Sequence, residues 1–211
     1  MSDNGTTPAF GRRACAVALL AASAAAATGC TPAPNYSPRD WVTLPPDAVV
    51  GAGDPTRAAI LNTAYAFGTP SSLAGRPAEA AIAVAQLDYL ASEIPFGPRW
   101  REFDPTVGLL LRRAREEVRG YAGISQQAAP QAVVDALYGA SRALRATDTA
   151  AAERILAPPV FPNARQTLAL LSAMPLLPIA NQATTRAAQE LDRVGRINGR
   201  SGGPGGGGGR N

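Results

Sequence analysis

Residues 77–93, PAEAAIAVAQLDYLASE, form the stretch that decides the fold. Alanine and leucine, which have high helix propensity, dominate this stretch. Its polar residues Glu79, Gln86 and Glu93 are spaced by seven, which keeps them on one face of a helix. The pattern therefore predicts a helix from about Pro77 to Glu93 with one narrow polar stripe. Such a helix, apolar on its other sides, is typical of the centre of a bundle.

Helical signals continue on both sides of this stretch. Asp54-Pro55 and Asp104-Pro105 each have the pattern of an N-cap followed by proline at the first helical position. Asp148 is a candidate cap for a further, shorter helix. No convincing alternation of apolar and polar residues indicates a strand. The sequence therefore predicts an all-α fold, one irregular bundle of six or seven helices over residues 54–198.

Asp88 is the one charged residue on the apolar side of the predicted central helix. At 100° per residue it lies opposite Glu79 and Gln86, so its side chain is expected to point into apolar surroundings. A buried carboxylate needs a partner or a raised pKa. We interpret Asp88 as one half of a structural pair with an arginine. The alternative is a carboxylate that lines a pocket.

An aromatic connector, residues 94–100, follows the central helix. Its residues Phe96, Arg99 and Trp100 are candidates for partner contact, because aromatic residues and arginine dominate binding hot spots. The interpretation we favour is a loop that closes the top of the bundle. A second candidate surface is an arginine cluster in the next helix, which could contact anionic lipid or an acidic polymer. Because Glu116 and Glu117 lie within this cluster, we expect a solvated, salt-bridged face; its members are Arg112, Arg113, Arg115 and Arg119.

The amino-terminal residues have the organisation of an export signal. Arg12 and Arg13 precede an apolar, alanine-rich run that ends at Ala27. A basic region, a short apolar region and small residues at the end are typical of a secretory signal. The run is shorter than the roughly 20 residues that a spanning helix needs, so an uncleaved anchor is the weaker interpretation. The arginine pair leaves twin-arginine export as an alternative route.

The four residues Ala27-Thr28-Gly29-Cys30 resemble the bacterial lipobox. The resemblance implies diacylglycerol on the Cys30 sulfur and cleavage between Gly29 and Cys30, which removes residues 1–29. Thr31 follows the cysteine, and by the sorting pattern of lipoproteins in two-membrane bacteria this indicates the outer membrane, facing the periplasm. Stable anchoring needs more than one lipid chain, since each buried CH₂ contributes only about 0.8 kcal/mol. The alternative is an ordinary secretory signal in which Cys30 is incidental.

Two segments outside the bundle are predicted to lack regular structure. Residues 30–53 contain five prolines and are expected to form a tether from the lipidated cysteine. Within this tether, Trp41, Val42 and Leu44 are expected to pack back onto the domain. Residues 199–211 are glycine-rich and are predicted to be a disordered tail.

Composition excludes several classes of chemistry. The chain has no histidine, and of its two cysteines Cys15 leaves with the signal and Cys30 carries lipid. Ser-His-Asp and Cys-His catalysis and the common zinc, haem and iron–sulfur sites are therefore excluded. The precursor has a net charge of +4, and removal of residues 1–29, which hold Asp3, Arg12 and Arg13, leaves +3. This charge is too small to indicate nucleic acid, and we expect no catalytic residues, metal or cofactor.

Three functions remain compatible with these features. The leading hypothesis is a membrane-anchored envelope lipoprotein that acts as a non-catalytic structural or adaptor module with an envelope protein partner. The second is a periplasmic lipoprotein that binds an apolar small ligand between its helices, and it calls for an enclosed apolar pocket. The third is a carboxylate-dependent enzyme acting on envelope glycan, which needs two acidic side chains roughly 5–10 Å apart across a cleft.

Overall fold

The computed structural model describes residues 41–49 and 53–201 of the chain. The described residues form seven α-helices and no strand, which confirms the all-α prediction. The predicted signal and lipobox with Cys30, the tether as far as residue 40, and residues 202–211 lie outside the described residues. The helices are α1 (Pro55–Gly68), α2 (Pro77–Phe96), α3 (Pro105–Ala122), α4 (Pro130–Arg145), α5 (Thr149–Ile155), α6 (Ala164–Ser172) and α7 (Pro178–Ser201).

Three of these helices begin at the aspartates that the sequence indicates. The Asp54 carboxylate accepts a hydrogen bond from the backbone N–H of Thr56 at 3.0 Å. Asp104 accepts from the N–H of Thr106 at 2.9 Å, and Asp148 accepts from the N–H of Ala151 at 2.8 Å. Each carboxylate satisfies a backbone donor that has no partner inside the helix. The predicted starts of α1, α3 and α5 are therefore confirmed.

Helix α2 is the centre of the bundle, as its composition predicts. It packs against α1, α3, α4 and α6, and its most extensive contact is with α4. The predicted polar stripe is wrong at its middle position, because Gln86 is only 1% exposed. The side-chain amide of Gln86 donates to the Tyr138 hydroxyl of α4 at 3.2 Å. Because α4 covers this face, only Glu79 and Glu93 of the stripe keep partial contact with solvent.

The crossing of α2 and α3 is unusually close at one point. Helix α2 continues through Pro95 to Phe96, beyond the predicted end at Glu93. A Cβ atom placed on Gly108 of α3 would lie 3.1 Å from the Pro95 Cγ atom. Glycine therefore allows α3 to approach the last turn of α2, and the predicted connector begins inside a helix.

Helix α7 packs against α1 and α3. At its start, the Glu117 carboxylate of α3 accepts hydrogen bonds from the backbone N–H groups of Ile179 and Ala180, at 3.3 and 2.7 Å. An acidic group at this end of a helix also interacts favourably with the helix dipole. Glu117 therefore caps α7, in addition to lying in the arginine-rich face of α3 that the sequence indicates. The helix runs to Ser201, past the boundary at Gly199 predicted for the tail.

Residues 41–49, the last part of the predicted tether, lie against α4. Val42 is buried, and the backbone of Thr43 exchanges two hydrogen bonds with the Gln131 side chain, at 2.7 and 3.1 Å. Pro46–Ala48 form a short 3-10 turn. Leu44 packs against the core as expected, whereas 60% of the Trp41 surface is exposed. Within residues 41–49 and 53–201, no helix has both the length and the apolar character needed to cross a membrane.

Candidate functional site

A cleft opens between α1, α2 and α4, and we call it the α2–α4 cleft. It has two adjoining parts, of about 230 and 200 Å³. Asn62, Ile82, Gln86 and Arg145 line both parts. The larger part is lined in addition by residues of the 3-10 turn and of α4: Asp47, Ala48, Tyr138, Ser141 and Arg142. The cleft therefore combines a few apolar side chains with a concentrated set of polar ones.

Two buried polar atoms of this lining have no hydrogen-bond partner: the Gln86 Oε1 atom and the Ser141 Oγ atom. Both residues are only 1% exposed. An unpaired buried polar group costs about 1–3 kcal/mol, and folded proteins satisfy the large majority of such groups. A third atom of this kind among the described residues, Thr167 Oγ1, belongs to α6 and lines neither part of the cleft. Two of the three unpaired buried polar atoms among the described residues thus belong to residues that line the α2–α4 cleft.

Tyr138 adds a hydroxyl to this buried polar set. Its oxygen lies 3.2 Å from the Gln86 Nε2 atom, which donates to it. Burial raises the pKa of Tyr138, although the Gln86 hydrogen bond opposes the shift, so the phenol keeps its proton near neutral pH. A hydroxyl both donates and accepts, and Tyr138 can therefore pair with either end of the Gln86 amide. In both orientations the other end of the amide has no partner.

The exposed rim of the cleft carries two arginines on successive turns of α4. Arg142 lies 3.2 Å from the carboxylate of Asp47, and Arg145 lies 3.8 Å from that of Glu79. All four side chains are substantially exposed to solvent. Exposed ion pairs contribute only about 0–1 kcal/mol. The guanidinium groups are therefore held weakly and can exchange one carboxylate for another.

Asp88 lies outside this cleft, in a buried ion pair with Arg119. The Arg119 Nε atom is 2.6 Å from Asp88 Oδ2, and Nη2 is 2.8 Å from Oδ1. The Nη1 atom of Arg119 donates to the backbone carbonyls of Ser125, Gln126 and Ala128. Asp88 is 1% exposed and Arg119 is 2% exposed. The arrangement joins α2 to α3 and to the loop before α4, which is a structural role.

The position of Arg119 corrects one sequence expectation. The solvated arginine face predicted for α3 is wrong at this residue, although Arg112, Arg113 and Arg115 keep exposed or partly exposed positions. Arg119 lies eight residues after Leu111 and three before Ala122, both of which are fully buried. These intervals keep the three residues on one side of a helix. The spacing of Arg119 from Leu111 and Ala122 therefore predicts a buried position for Arg119.

The predicted partner-contact residues are tied to the end of the bundle. Trp100 is buried, its ring meets Phe103 edge-on at 5.0 Å, and its Nε1 donates to Glu93 at 3.0 Å. The Arg99 guanidinium lies 5.2 Å from the centre of the Trp100 ring and pairs with Asp54. Phe96 is half-buried. Phe96, Arg99 and Trp100 do not line the α2–α4 cleft, and their contacts fit a loop that closes the bundle.

A separate group of acidic side chains bears on the glycan-enzyme hypothesis. The Glu190 carboxylate accepts from the backbone N–H of Asp104 at 2.8 Å. Hydrogen bonds from Thr106 lower the pKa of Asp104, and the hydrogen bond from Arg193 lowers the pKa of Glu190. Both carboxylates are therefore ionised at neutral pH, whereas glycoside hydrolysis requires one protonated acid. In the described part of the chain, no group of three or more acidic, histidine or cysteine side chains could hold a metal ion.

The lining of the cleft comes from distant segments, so the sequence does not predict this site. The sequence places Gln86 on a polar stripe and does not distinguish Tyr138, Ser141, Arg142 and Arg145 from other polar residues. The last four are spaced i, i+3, i+4 and i+7, so they share one face of α4. A polar face of this kind resembles an ordinary solvated surface until the covering helices are known.

Comparison of the chain with known protein families, with curated proteins and with solved structures finds no match.

Proposed function

We propose that this chain is a cell-envelope lipoprotein, held to the membrane by lipid on Cys30, that binds a small ligand in the α2–α4 cleft without transforming it. The anchor rests on the lipobox resemblance of Ala27-Thr28-Gly29-Cys30. By the same resemblance, Thr31 favours the outer membrane, facing the periplasm. The mild net charge argues against nucleic acid as a partner.

The ligand-binding part rests on one observation: Gln86 and Ser141, which line the cleft, each carry a buried polar atom without a hydrogen-bond partner, Oε1 and Oγ. An apolar residue in place of Ser141 would remove an uncompensated polar group, and one in place of Gln86 would do so at the expense of the hydrogen bond to Tyr138. Proteins accept such local penalties mainly where function requires them. A ligand that supplies hydrogen-bond partners explains why Gln86 and Ser141 are polar, which their packing in the fold does not explain.

The geometry favours ligand binding over an adaptor role. Phe96 is half-buried, Trp100 is buried, and Arg99 pairs with Asp54, so this segment does not present a free knob to an envelope protein. The cleft also modifies the hypothesis of an apolar ligand. Its buried lining includes the polar side chains of Gln86 and Ser141, and a wholly apolar ligand would leave both without hydrogen-bond partners.

Replacement of Ser141 by alanine tests this proposal. We expect the wild-type protein, purified from the membranes of a bacterial host, to show a native mass that exceeds its denatured mass by one small molecule. Ser141→Ala should lose this excess mass, and its melting temperature should equal or exceed that of the dialysed, ligand-free wild type, because the change removes an unpaired hydroxyl. An increase of about 1 kcal/mol in the free energy of unfolding raises the melting temperature by roughly 2–4 °C for a chain of this size. The measurements are native mass spectrometry and thermal unfolding monitored by circular dichroism.

Ser92→Ala is the matched control. Ser92 is also buried, but its hydroxyl donates to the Asp88 carbonyl and accepts from Arg115, at 3.5 and 3.3 Å. This variant should lose stability and keep the ligand. Equal native and denatured masses for the wild type, or full retention of the ligand by Ser141→Ala, would argue against the cleft as a binding site.

A further inference from the structure

We infer that the ligand of the α2–α4 cleft is a small organic carboxylate that also carries a hydroxyl or N–H group. Its carboxylate binds Arg142 and Arg145, and its donor group pairs with Gln86 and Ser141 once these side chains turn toward the cleft, because their unpaired atoms are buried in this structure. This inference rests on the proposed function and adds the chemical class of the ligand.

The carboxylate follows from the arginines at the rim. Guanidinium groups present planar, paired donors that match a carboxylate. Arg142 and Arg145 already face carboxylates of this chain, Asp47 at 3.2 Å and Glu79 at 3.8 Å. Because these ion pairs are exposed and weak, a carboxylate on the ligand can take the place of the Asp47 or Glu79 carboxylate at the guanidinium groups. A single negative charge also fits the rim better than a phosphate dianion, since Asp47 and Glu79 remain nearby.

The donor group follows from the buried end of the cleft. With the Gln86 amide nitrogen bonded to Tyr138, the carbonyl oxygen of Gln86 is an acceptor that needs a donor. The Ser141 hydroxyl accepts as well as donates. A hydroxyl or N–H on the ligand pairs with these atoms, whereas a plain hydrocarbon end leaves both without a partner.

The face of α4 sets the size of the ligand. Tyr138, Ser141, Arg142 and Arg145 follow one another at i, i+3, i+4 and i+7, which spans roughly 10 Å along a helix. The two parts of the cleft measure about 230 and 200 Å³, each below the roughly 300–1,000 Å³ of sites for drug-sized ligands. A chain of a few carbons between the carboxylate and the donor fits this span, with Ile82 as an apolar wall.

Calorimetric titration of the dialysed full-length protein with a matched set of probes tests this class. The probes are ω-hydroxycarboxylates of about three to six carbons, a range set by the span of α4, with the unsubstituted carboxylate and the diol of each length. We expect at least one hydroxycarboxylate to bind about tenfold more tightly than both of its matched probes, because each matched probe lacks one hydrogen-bonded group.

Variants of the protein assign the two ends of the ligand. Arg142→Gln combined with Arg145→Gln should reduce the affinity for the hydroxycarboxylate to that of the matched diol. Gln86→Leu should reduce it to that of the unsubstituted carboxylate. Arg154→Gln is the control, since Arg154 is an exposed residue of α5 outside the cleft, and it should bind as the wild type does. Thermal melts of all variants establish that they are folded.

The outcomes separate the ligand class from the proposed function. If a small molecule is retained in the native mass but the diols bind as tightly as the hydroxycarboxylates, or no probe binds, the class is wrong and the binding function stands. If no molecule is retained and no probe binds, both are wrong. Tighter binding of a hydroxycarboxylate that Arg142→Gln with Arg145→Gln leaves unchanged would also overturn the class.

Discussion

Replacement of Asp88 by alanine, or of Arg119 by methionine, is expected to lower the free energy of unfolding by about 3–5 kcal/mol. Each change leaves the opposite charge buried without its counter-ion. Arg119→Met also removes the donor to the carbonyls of Ser125, Gln126 and Ala128. For a chain of this size the expected fall in melting temperature is about 6–20 °C.

Two further variants show whether the loss comes from the unpaired charge. Asp88→Leu combined with Arg119→Met should recover most of the stability, because a buried ion pair can often be replaced by apolar residues at little cost. Arg113→Met changes an exposed arginine of the same helix and should alter the free energy of unfolding by no more than about 0.5 kcal/mol. A melting temperature of Asp88→Ala equal to that of the wild type would contradict the structural role of the pair.

Phe161→Ala is expected to cost about 3–5 kcal/mol. Phe161 is fully buried and is among the largest side chains without solvent exposure. It lies between α5 and α6 in the chain and belongs to the main hydrophobic core. Truncation loses the buried apolar surface of the ring and leaves a cavity that the surrounding helices fill only in part.

Urea unfolding measures this loss as a lower midpoint with an unchanged slope. The control is Leu109→Ala, since the Leu109 side chain is 53% exposed and its truncation should cost about 0.5 kcal/mol or less. If Phe161→Ala lost no more stability than Leu109→Ala, the assignment of Phe161 to the core would be wrong.

Local patterns were sufficient to predict the helices and the central element of the bundle. The caps formed by Asp54, Asp104 and Asp148 join residues only two or three positions apart. A sequence shows such short-range patterns directly. The apolar character of residues 77–93 likewise reflects contact on all sides of α2. The burial expected for Asp88 follows from the same helical geometry.

Long-range packing accounts for what the sequence did not predict. A helical wheel gives the direction of each side chain but not the helix that covers it. Gln86 is buried because α4 lies over its face, and Arg119 is buried because α2 and the loop before α4 enclose its guanidinium group. The cleft depends on both kinds of information, since its residues come from α1, α2, α4 and the turn Pro46–Ala48. Its polar lining exists only where these segments meet in the fold.

The intact denatured mass of the protein extracted from the membranes of a bacterial host, measured for the wild type beside Cys30→Ala, tests the anchored lipoprotein most directly. We expect a mature wild-type chain that begins at Cys30 and carries added lipid mass, and Cys30→Ala should lack this mass and leave the membrane fraction. An unlipidated wild-type chain in the soluble fraction would contradict the anchor.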